Sequence, residues 1–466
     1  MTDLSRMRLL RNLSIQNSQP WLRQLLVIGQ LLFIAALTFR ASQRQLTLIL
    51  YLLLGIGLVL TFVRWQPLGL IVASLAGMVV PFSGPSGLNV TMILVALLLG
   101  LWLLDMVVGQ RQVHLTPSRT VWPLLSFLVV AAISFGVGQL PWLTFALHAP
   151  LGAQLGGLSL IVLSASTFLL MANQVRDLVW LSRITWAFLA IGALSVLVRS
   201  VLPALGLQTR NLFQPAGTVF YIWLVAIAFS QAMFNGELHS GWRWILGGLV
   251  LVTLYVLVFQ KFGDKSGWLS AFVCMAIIIA ARSWRVGLVL VPVAALSALY
   301  MWTDLVATDE YSISTRFDAW SIMFQIIKIN PILGLGFANY YWYTPLFPIR
   351  GYAVNFNSHN NYVDIVAQTG FVGLVCLLLF FWQVGRLGWQ LRERAPGGFA
   401  QAYVYGALGG LAGMVVAGML GDWVLPFFYN IGLNGFRSSM LGWLFLGGLV
   451  SVEQIVMTQK LSETRK

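Results

Sequence analysis

A histidine among amides precedes one of the apolar runs in the C-terminal half of the chain. The stretch reads NSHNNYVDIVAQTGFVG, residues 357–373, and His359 is one of four histidines among 466 residues. An imidazole with an unperturbed pKa of about 6.5 accepts a proton from a hydroxyl at neutral pH, so His359 is a candidate general base. The plainer interpretation is an interfacial polar residue at a helix start. Ser358 is the expected helix cap, with Asn360 as a supporting residue, and Asp364 either orients the imidazole or bonds to a neighbouring helix.

Cations in three other segments suit a phosphate or diphosphate ligand. They are Arg210 in GLQTRNLFQPAG, Lys261 and Lys265 in FQKFGDKSGW, and Arg316 in STRFDAW. Charge-assisted hydrogen bonds to phosphate are short and strong, and helix N-termini add backbone N–H donors. For any one cation, pairing with Asp264, Asp318 or lipid phosphates is the alternative. Arg316 is expected in the first turn of its helix, where a cation opposes the helix dipole unless an anion binds.

Several kinds of site are missing from the sequence. It has no P-loop, G-x-S-x-G elbow or H-E-x-x-H motif. His114, His148 and His239 fall in separate loops, so we expect no metal site and no cofactor. Cys274 and Cys376 lie within apolar runs, which leaves neither a disulfide framework nor a thiol-rich metal site. Ionisable residues are nearly missing from the middles of these runs, which disfavours an ion-coupled transporter.

The composition is that of a membrane protein. Hydrophobic residues make up 59% of the chain and charged residues 9%, whereas soluble proteins carry about 25% charge. Apolar runs of roughly 15 to 24 residues recur, long enough to cross or nearly cross a bilayer core of about 30 Å. Because the runs are continuous rather than alternating, the sequence predicts an all-α polytopic transmembrane bundle and not a β-barrel. The cationic N-terminal stretch lacks a cleavage site and is not interpreted as a removable signal.

About fourteen spans are expected, of which 68–82 and 267–281 are short. They are 24–39, 46–63, 68–82, 88–108, 121–137, 155–171, 184–201, 217–234, 242–260, 267–281, 286–302, 363–385, 402–420 and 438–456. With the N-terminus in the cytoplasm, about eighteen of the 28 Lys and Arg residues fall on the cytoplasmic side, as the positive-inside rule requires. The net charge of +14 then reflects membrane orientation, not nucleic-acid binding.

The predicted organisation has three parts: an N-terminal membrane bundle (1–302), an external loop (303–362) and a three-span segment (363–466). Within the loop we predict an amphipathic helix over 314–330, capped by Thr315 with Asp318 three residues on. Phe317, Trp320, Phe324 and Ile327 form its expected apolar stripe, and Pro331 ends it. The Tyr and Trp residues of the loop suit the lipid headgroup level, so the loop is expected on the outer membrane face.

Three segments of this chain, in their order, resemble the bacterial O-antigen ligase and polysaccharide polymerase family. They are STRFDAW (Arg316, Trp320), NPILGLGFANY (Pro331, Gly334, Gly336, Asn339) and HNNYVDIVAQTGFVGL (His359, Asn360, Gly370, Gly373). The likeness is close over 314–374 and loose over the apolar spans in the rest of the chain. It implies a GT-C-like, metal-independent glycosyltransferase in the bacterial cytoplasmic membrane. The implied reaction joins a glycan from undecaprenyl diphosphate to an acceptor sugar hydroxyl on the outer face, with inversion.

The resemblance also implies roles for individual residues. His359 resembles the family's essential loop histidine, Arg316 the arginine of the loop helix and Arg210 the upstream external arginine. Lys265 stands where members commonly have an arginine, and it keeps the charge without the planar fork. The alternatives are a polymerase that extends the chain itself, a lipid-linked oligosaccharide flippase or transporter, and a non-catalytic scaffold. Ligase and polymerase share a donor and differ in the acceptor, which is a glycan or glycolipid.

Overall fold

The computed structural model describes residues 55–112, 114–207, 213–214, 217–289 and 310–463. Two compact units are distinguished, Met1–Arg64 and Trp65–Lys466. In the first, the described part is an apolar helix, Gly55–Arg64. Across the described ranges every regular element is a helix, apart from two isolated β-bridges.

The second unit is built from helices that we label in chain order. They are α1 (Gln66–Val79), α2 (Val90–Gln110), α3 (Val121–Val137), α4 (Leu151–Gln174), α5 (Leu178–Ala204), α6 (Thr218–Phe234), α7 (Ser240–Gln260), α8 (Lys265–Arg282), α9 (Glu310–Ile327), α10 (Asn339–Tyr343), α11 (Asn361–Leu391), α12 (Phe399–Leu420) and α13 (Phe436–Glu463). Eight of the described helices are long and apolar enough to cross a membrane, and α1, α3 and α6 are shorter apolar helices. The chain is therefore a multi-pass helical membrane protein.

The predicted spans coincide with these helices wherever the structure describes them. The predicted span 121–137 has the bounds of α3, and 217–234 differs from α6 by one residue. The span 24–39 and most of 286–302 lie outside the described residues. The total of about fourteen therefore stays a prediction.

Helices α4, α6, α12 and α13 form the centre of the bundle, where most of their residues are buried. Helix α12 packs along α6 and α8, and α13 packs along α4. Glycines allow the close approach, since a Cβ at Gly409 of α12 would lie 2.7 Å from the Cys274 carbonyl oxygen of α8. Small residues at such contacts favour helix association in lipid, where packing replaces the hydrophobic effect.

Helix α11 is broken at Gly370, and the segment 331–336 repairs the break. Gly370 has φ 69° and ψ −178°, which leaves carbonyls before it and amides after it without partners within the helix. The amides of Leu335 and Gly336 donate to the carbonyls of Ala367 (2.9 Å) and Gln368 (3.1 Å), and those of Phe371 and Val372 donate to Pro331 (2.8 Å) and Ile332 (3.3 Å). The segment 331–336, which we call the cross-paired segment, therefore replaces one interrupted turn of helix.

Two glycines make this pairing possible. Gly334 and Gly370 both have positive φ angles of 73° and 69°, a conformation in which glycine is not strained. A Cβ on Gly370 would lie 1.9 Å from the Ile332 carbonyl oxygen, and one on Gly334 would lie 2.5 Å from the Thr369 amide nitrogen. The Ser134 hydroxyl of α3 donates to the Leu333 carbonyl at 2.7 Å on the other side. The cross-paired segment is thus held between α3 and α11.

The predicted helix over 314–330 is α9, but its bounds and its buried face differ from the prediction. The helix begins at Glu310, so Thr315 lies inside α9 and the predicted capping box is wrong. Arg316 lies in the second turn rather than the first. The helix dipole therefore no longer indicates that an anion binds beside Arg316. The predicted stripe is wrong for Phe317 and Phe324, which are exposed, whereas Ile327 is buried as predicted. The face that packs on the bundle consists of Ala319, Ile322, Met323, Ile326 and Ile327.

We expect Gly370→Ala to lower the free energy of unfolding by at least about 2 kcal/mol, because the methyl group meets the Ile332 carbonyl in a left-handed conformation. The measurement is the apparent melting temperature of the purified protein in detergent. Gly247→Ala in α7 is the matched control, since a Cβ there meets no atom within 4 Å. Equal melting temperatures for the two variants would contradict the repair of α11 by the cross-paired segment.

Candidate functional site

A cavity of about 590 Å³ gathers polar side chains at one end of the bundle. We call it the main cavity. It lies where α8 and α11 begin, where α12 ends and where α9 passes over them. Its lining consists of Gly263, Asp264, Lys265, Ser266, Arg316, Phe317, Trp320, His359, Met419, Leu420, Gly421, Asp422, Trp423, Asn430 and Ile431. Two cations, a histidine and carboxylates from four separate stretches of sequence therefore face one space.

Lys265 reaches the main cavity as the first residue of α8. The Asp264 carboxylate before it accepts hydrogen bonds from the hydroxyls of Thr218 (3.0 Å) and Ser266 (2.5 Å), which fixes the turn into the helix. Lys261 does not line the cavity. Its ammonium nitrogen lies 4.6 Å from the ring centroid of Tyr221 in a cation–π contact, so the structure separates the two predicted lysines.

Arg316 and Trp320 project from α9 into the main cavity. The Arg316 guanidinium donates to the Leu420 carbonyl at 3.2 Å, at the C-terminal end of α12 where a cation is favoured by the helix dipole. The Trp320 indole donates to the Ser358 carbonyl at 2.8 Å, directly before His359. Helix α9 therefore fixes both the end of α12 and the histidine loop.

His359 has a positive φ of 49°, an uncommon conformation that histidine adopts more often than most residues. Its neighbours fix this conformation. The Ser358 hydroxyl donates to the Asp364 carboxylate at 2.6 Å. The side-chain oxygen Oδ1 of Asn360 caps α11 by accepting from the Tyr362 amide at 2.9 Å. The predicted cap was Ser358, but its hydroxyl is committed to Asp364, and Asn360 is the cap.

Asp364 bonds to neighbouring residues and not to the imidazole. Its buried carboxylate accepts from the Tyr340 hydroxyl at 2.5 Å as well as from Ser358. Burial, followed by the charge of Asp364, raises the pKa of Tyr340, so Tyr340 remains a proton donor in this bond. Of the two interpretations left open above, the bond to neighbouring elements is the correct one. Asp364 therefore binds the residue directly before His359 and not the imidazole itself.

Asp422 is the residue of this site that sequence reasoning missed. It is buried in the turn after α12, where its carboxylate accepts from the Phe427 amide (2.9 Å) and the Asn430 side chain (2.7 Å). The Asn361 side chain fixes the same turn, accepting from the Val424 amide at 2.9 Å. The available signal was an acidic residue between two apolar runs, in a chain with only 14 Asp and Glu residues.

Charges of both signs act on His359. Burial lowers its pKa from the ordinary value of 6.5, the positive charge of Arg316 lowers it further, and the negative charge of Asp422 opposes both. Burial also raises the pKa of Asp422, against the bonds it accepts and the charge of His359. Partial burial and Arg316 therefore favour the neutral imidazole, which can accept a proton, and Asp422 favours the imidazolium that forms.

The other predicted site residues lie elsewhere. Asp318 forms an ion pair with Arg350 at 2.7 Å and does not line the main cavity. Arg210 falls outside the described residues. Across the part of the chain that the structure describes, no group of three or more His, Cys, Asp or Glu side chains is arranged to hold a metal ion.

No protein-family model matches the sequence, and no curated protein matches it at significant similarity. The chemistry of the main cavity therefore carries the functional inference. A neutral imidazole beside two cations suits a reaction in which a hydroxyl loses a proton and an anionic group leaves.

We expect the imidazole of His359 to titrate below 6.5, because burial and Arg316 disfavour its charged form. Arg316→Gln should raise this pKa, and Asp422→Asn should lower it further. Histidine NMR of the protein in detergent, with His359→Gln to assign the signal, measures all three values. A pKa that does not move in Arg316→Gln would contradict the electrostatic contact between the two residues.

Proposed function

We propose that this protein is an inverting, metal-independent glycosyltransferase of the bacterial cytoplasmic membrane. It transfers a glycan from undecaprenyl diphosphate to a sugar hydroxyl on an acceptor glycan or glycolipid, as an O-antigen ligase does. The observation that carries the proposal is the main cavity, where Lys265, Arg316 and His359 meet beside Asp422 at the ends of apolar helices. In this proposal the bundle is GT-C-like, and the segment 303–362 lies on the extracytoplasmic side.

The donor's diphosphate suits the two cations of the main cavity. Arg316 offers several N–H donors in a planar fork and Lys265 a compact ammonium, both able to form charge-assisted bonds to phosphate. The first two residues of α8, Lys265 and Ser266, line the same space, and the start of a helix favours an anion. The prenyl chain of the donor would remain among the apolar helices and lipid. Arg210 was predicted to take part in this site, and its role stays a prediction.

The reaction begins with loss of a proton from the acceptor hydroxyl to the neutral imidazole of His359. The hydroxyl oxygen forms a bond to the anomeric carbon of the donor sugar while the bond from that carbon to the diphosphate oxygen breaks. The electron pair of the broken bond stays on the diphosphate, where Arg316 and Lys265 stabilise the added negative charge. Attack opposite the leaving group inverts the anomeric configuration. Asp422 stabilises the imidazolium until its proton passes to solvent.

The position of the cations favours a transferase over a flippase or transporter. Lys265 and Arg316 lie at the end of the bundle, beside the start of α8 and the end of α12. A transporter of anionic lipid would instead need cations along a path through the membrane. The three described groups that could act on a reacting bond also face one cavity, which a scaffold protein would not require.

We expect His359→Ala to lower kcat at least about 100-fold by removing the general base, and Arg316→Ala to lower it about 100- to 1,000-fold by removing charge stabilisation of the leaving group. The measurement is glycan transfer by the purified protein from undecaprenyl-diphosphate glycan to candidate acceptors. His148→Ala is the control, since that ring packs against Tyr343 outside the main cavity. Melting temperatures confirm that each variant is folded.

A normal rate in His359→Ala would remove the general-base role, and transfer by no combination of donor and acceptor would overturn the proposed function. The size of the product separates the two related activities. One addition to each acceptor indicates a ligase, whereas a ladder of products indicates a polymerase.

A further inference from the structure

A second cavity of about 300 Å³ also has the histidine in its lining. We call it the side cavity. It shares Arg316 and His359 with the main cavity, and its remaining lining is Thr315, Ala319, Ile349, Phe356 and Asn357. The imidazole and the guanidinium are therefore common to two spaces that differ in chemistry. The main cavity adds Lys265 and carboxylates, whereas the described lining of the side cavity adds neutral side chains.

Asn357 marks the side cavity as a polar binding site. The residue is 8% exposed, and its side-chain nitrogen has no hydrogen-bond partner within the described ranges. A buried donor without a partner costs free energy that a ligand oxygen can recover. The backbone beside it is held in place, since the Phe356 amide donates to the Thr344 hydroxyl at 3.2 Å.

The side cavity combines the surfaces that a sugar ring needs. A ring presents hydroxyl oxygens at its edge and C–H groups on its faces. Asn357 can donate to an oxygen, Phe356 offers an aromatic surface for the C–H groups, and Thr315 adds a hydroxyl. The volume of 300 Å³ is at the lower end of the range of about 300 to 1,000 Å³ for small-molecule sites, which suits a short sugar segment rather than a lipid.

We propose that the side cavity is the acceptor subsite, where the terminal sugar of an acceptor glycan binds with a hydroxyl directed at His359. This inference rests on the proposed function. It makes Asn357 a residue that recognises the acceptor and not the donor. In the proposed reaction, an acceptor in the side cavity would attack a donor sugar whose diphosphate lies in the main cavity.

The first test separates acceptor binding from donor binding by kinetics. Asn357→Ala should raise the acceptor KM roughly three- to tenfold, as expected for one lost hydrogen bond, and should leave the donor KM unchanged. Asn355→Ala is the matched control, since this exposed asparagine lies two residues away and lines neither cavity. A raised donor KM or an unchanged acceptor KM in Asn357→Ala would overturn the assignment.

The second test needs no catalytic activity. Thr315→Cys places a thiol on the side cavity, and Phe317→Cys places one on the main cavity, two residues further along α9. The labelling rate of each thiol with a water-soluble maleimide is measured with glucose, galactose, N-acetylglucosamine or rhamnose, and separately with inorganic pyrophosphate. The parent protein is the blank, because Cys274 and Cys376 lie within α8 and α11.

We expect at least one sugar to slow labelling of Thr315→Cys more than twofold without affecting Phe317→Cys, and pyrophosphate to slow labelling of Phe317→Cys. If the parent protein transfers glycan but no sugar protects Thr315→Cys, the acceptor subsite is wrong and the proposed function stands. If a sugar protects Thr315→Cys but no transfer occurs, the side cavity binds sugar and the proposed reaction is wrong.

Discussion

The exchange of four backbone hydrogen bonds between the cross-paired segment and the broken helix α11 is the contact on which the rest of the site depends. It pairs the chain at 331–336 with the residues around Gly370, so the loop between them returns to the start of α11. Tyr340 lies within that loop and reaches the Asp364 carboxylate one turn into α11. The same carboxylate binds Ser358, which places His359 in its left-handed conformation. The hydrogen bonds that close the break in α11 therefore also help to position the imidazole of His359.

This repair has a clear physical reason in a membrane protein. Backbone groups at membrane depth are tolerated outside helices only where other protein groups satisfy them. A break at Gly370 would be costly on a lipid-facing helix, but here Leu335 and Gly336 complete it while Ser134 binds the adjacent carbonyl. The break gives α11 a rigid irregular turn in its first half, and the loop that carries His359 is bonded to Asp364, near the start of the same helix. Rigid support of this kind favours a preorganised site over a mobile lid.

The electrostatics of the site depend on two opposite charges around one histidine. Partial burial and then the charge of Arg316 lower the pKa of His359, and the buried Asp422 limits how far that pKa falls. Each of the two charges is itself fixed, Arg316 by the end of α12 and Asp422 by the turn that follows. A general base needs both properties, because it must be unprotonated before the reaction and must tolerate the proton afterwards. The side cavity gives a substrate a second way to reach the same imidazole, past described side chains that carry no charge apart from Arg316.

The apolar runs by themselves determined the helical class and the positions of the described spans, because hydropathy and length are local properties of the chain. The rarity of histidine and the placement of cations also selected His359, Lys265 and Arg316, which the main cavity brings together. Local patterns did not give the start of α9 or its buried face, since tertiary packing selected Ala319 and Met323 over the aromatic stripe. They likewise missed Asp422, whose significance lies in burial and in its closeness to a residue 63 positions away along the chain. Residue types and hydrophobic periodicity are local properties that can be identified from the sequence. Which distant segments lie together is decided only when the helices pack.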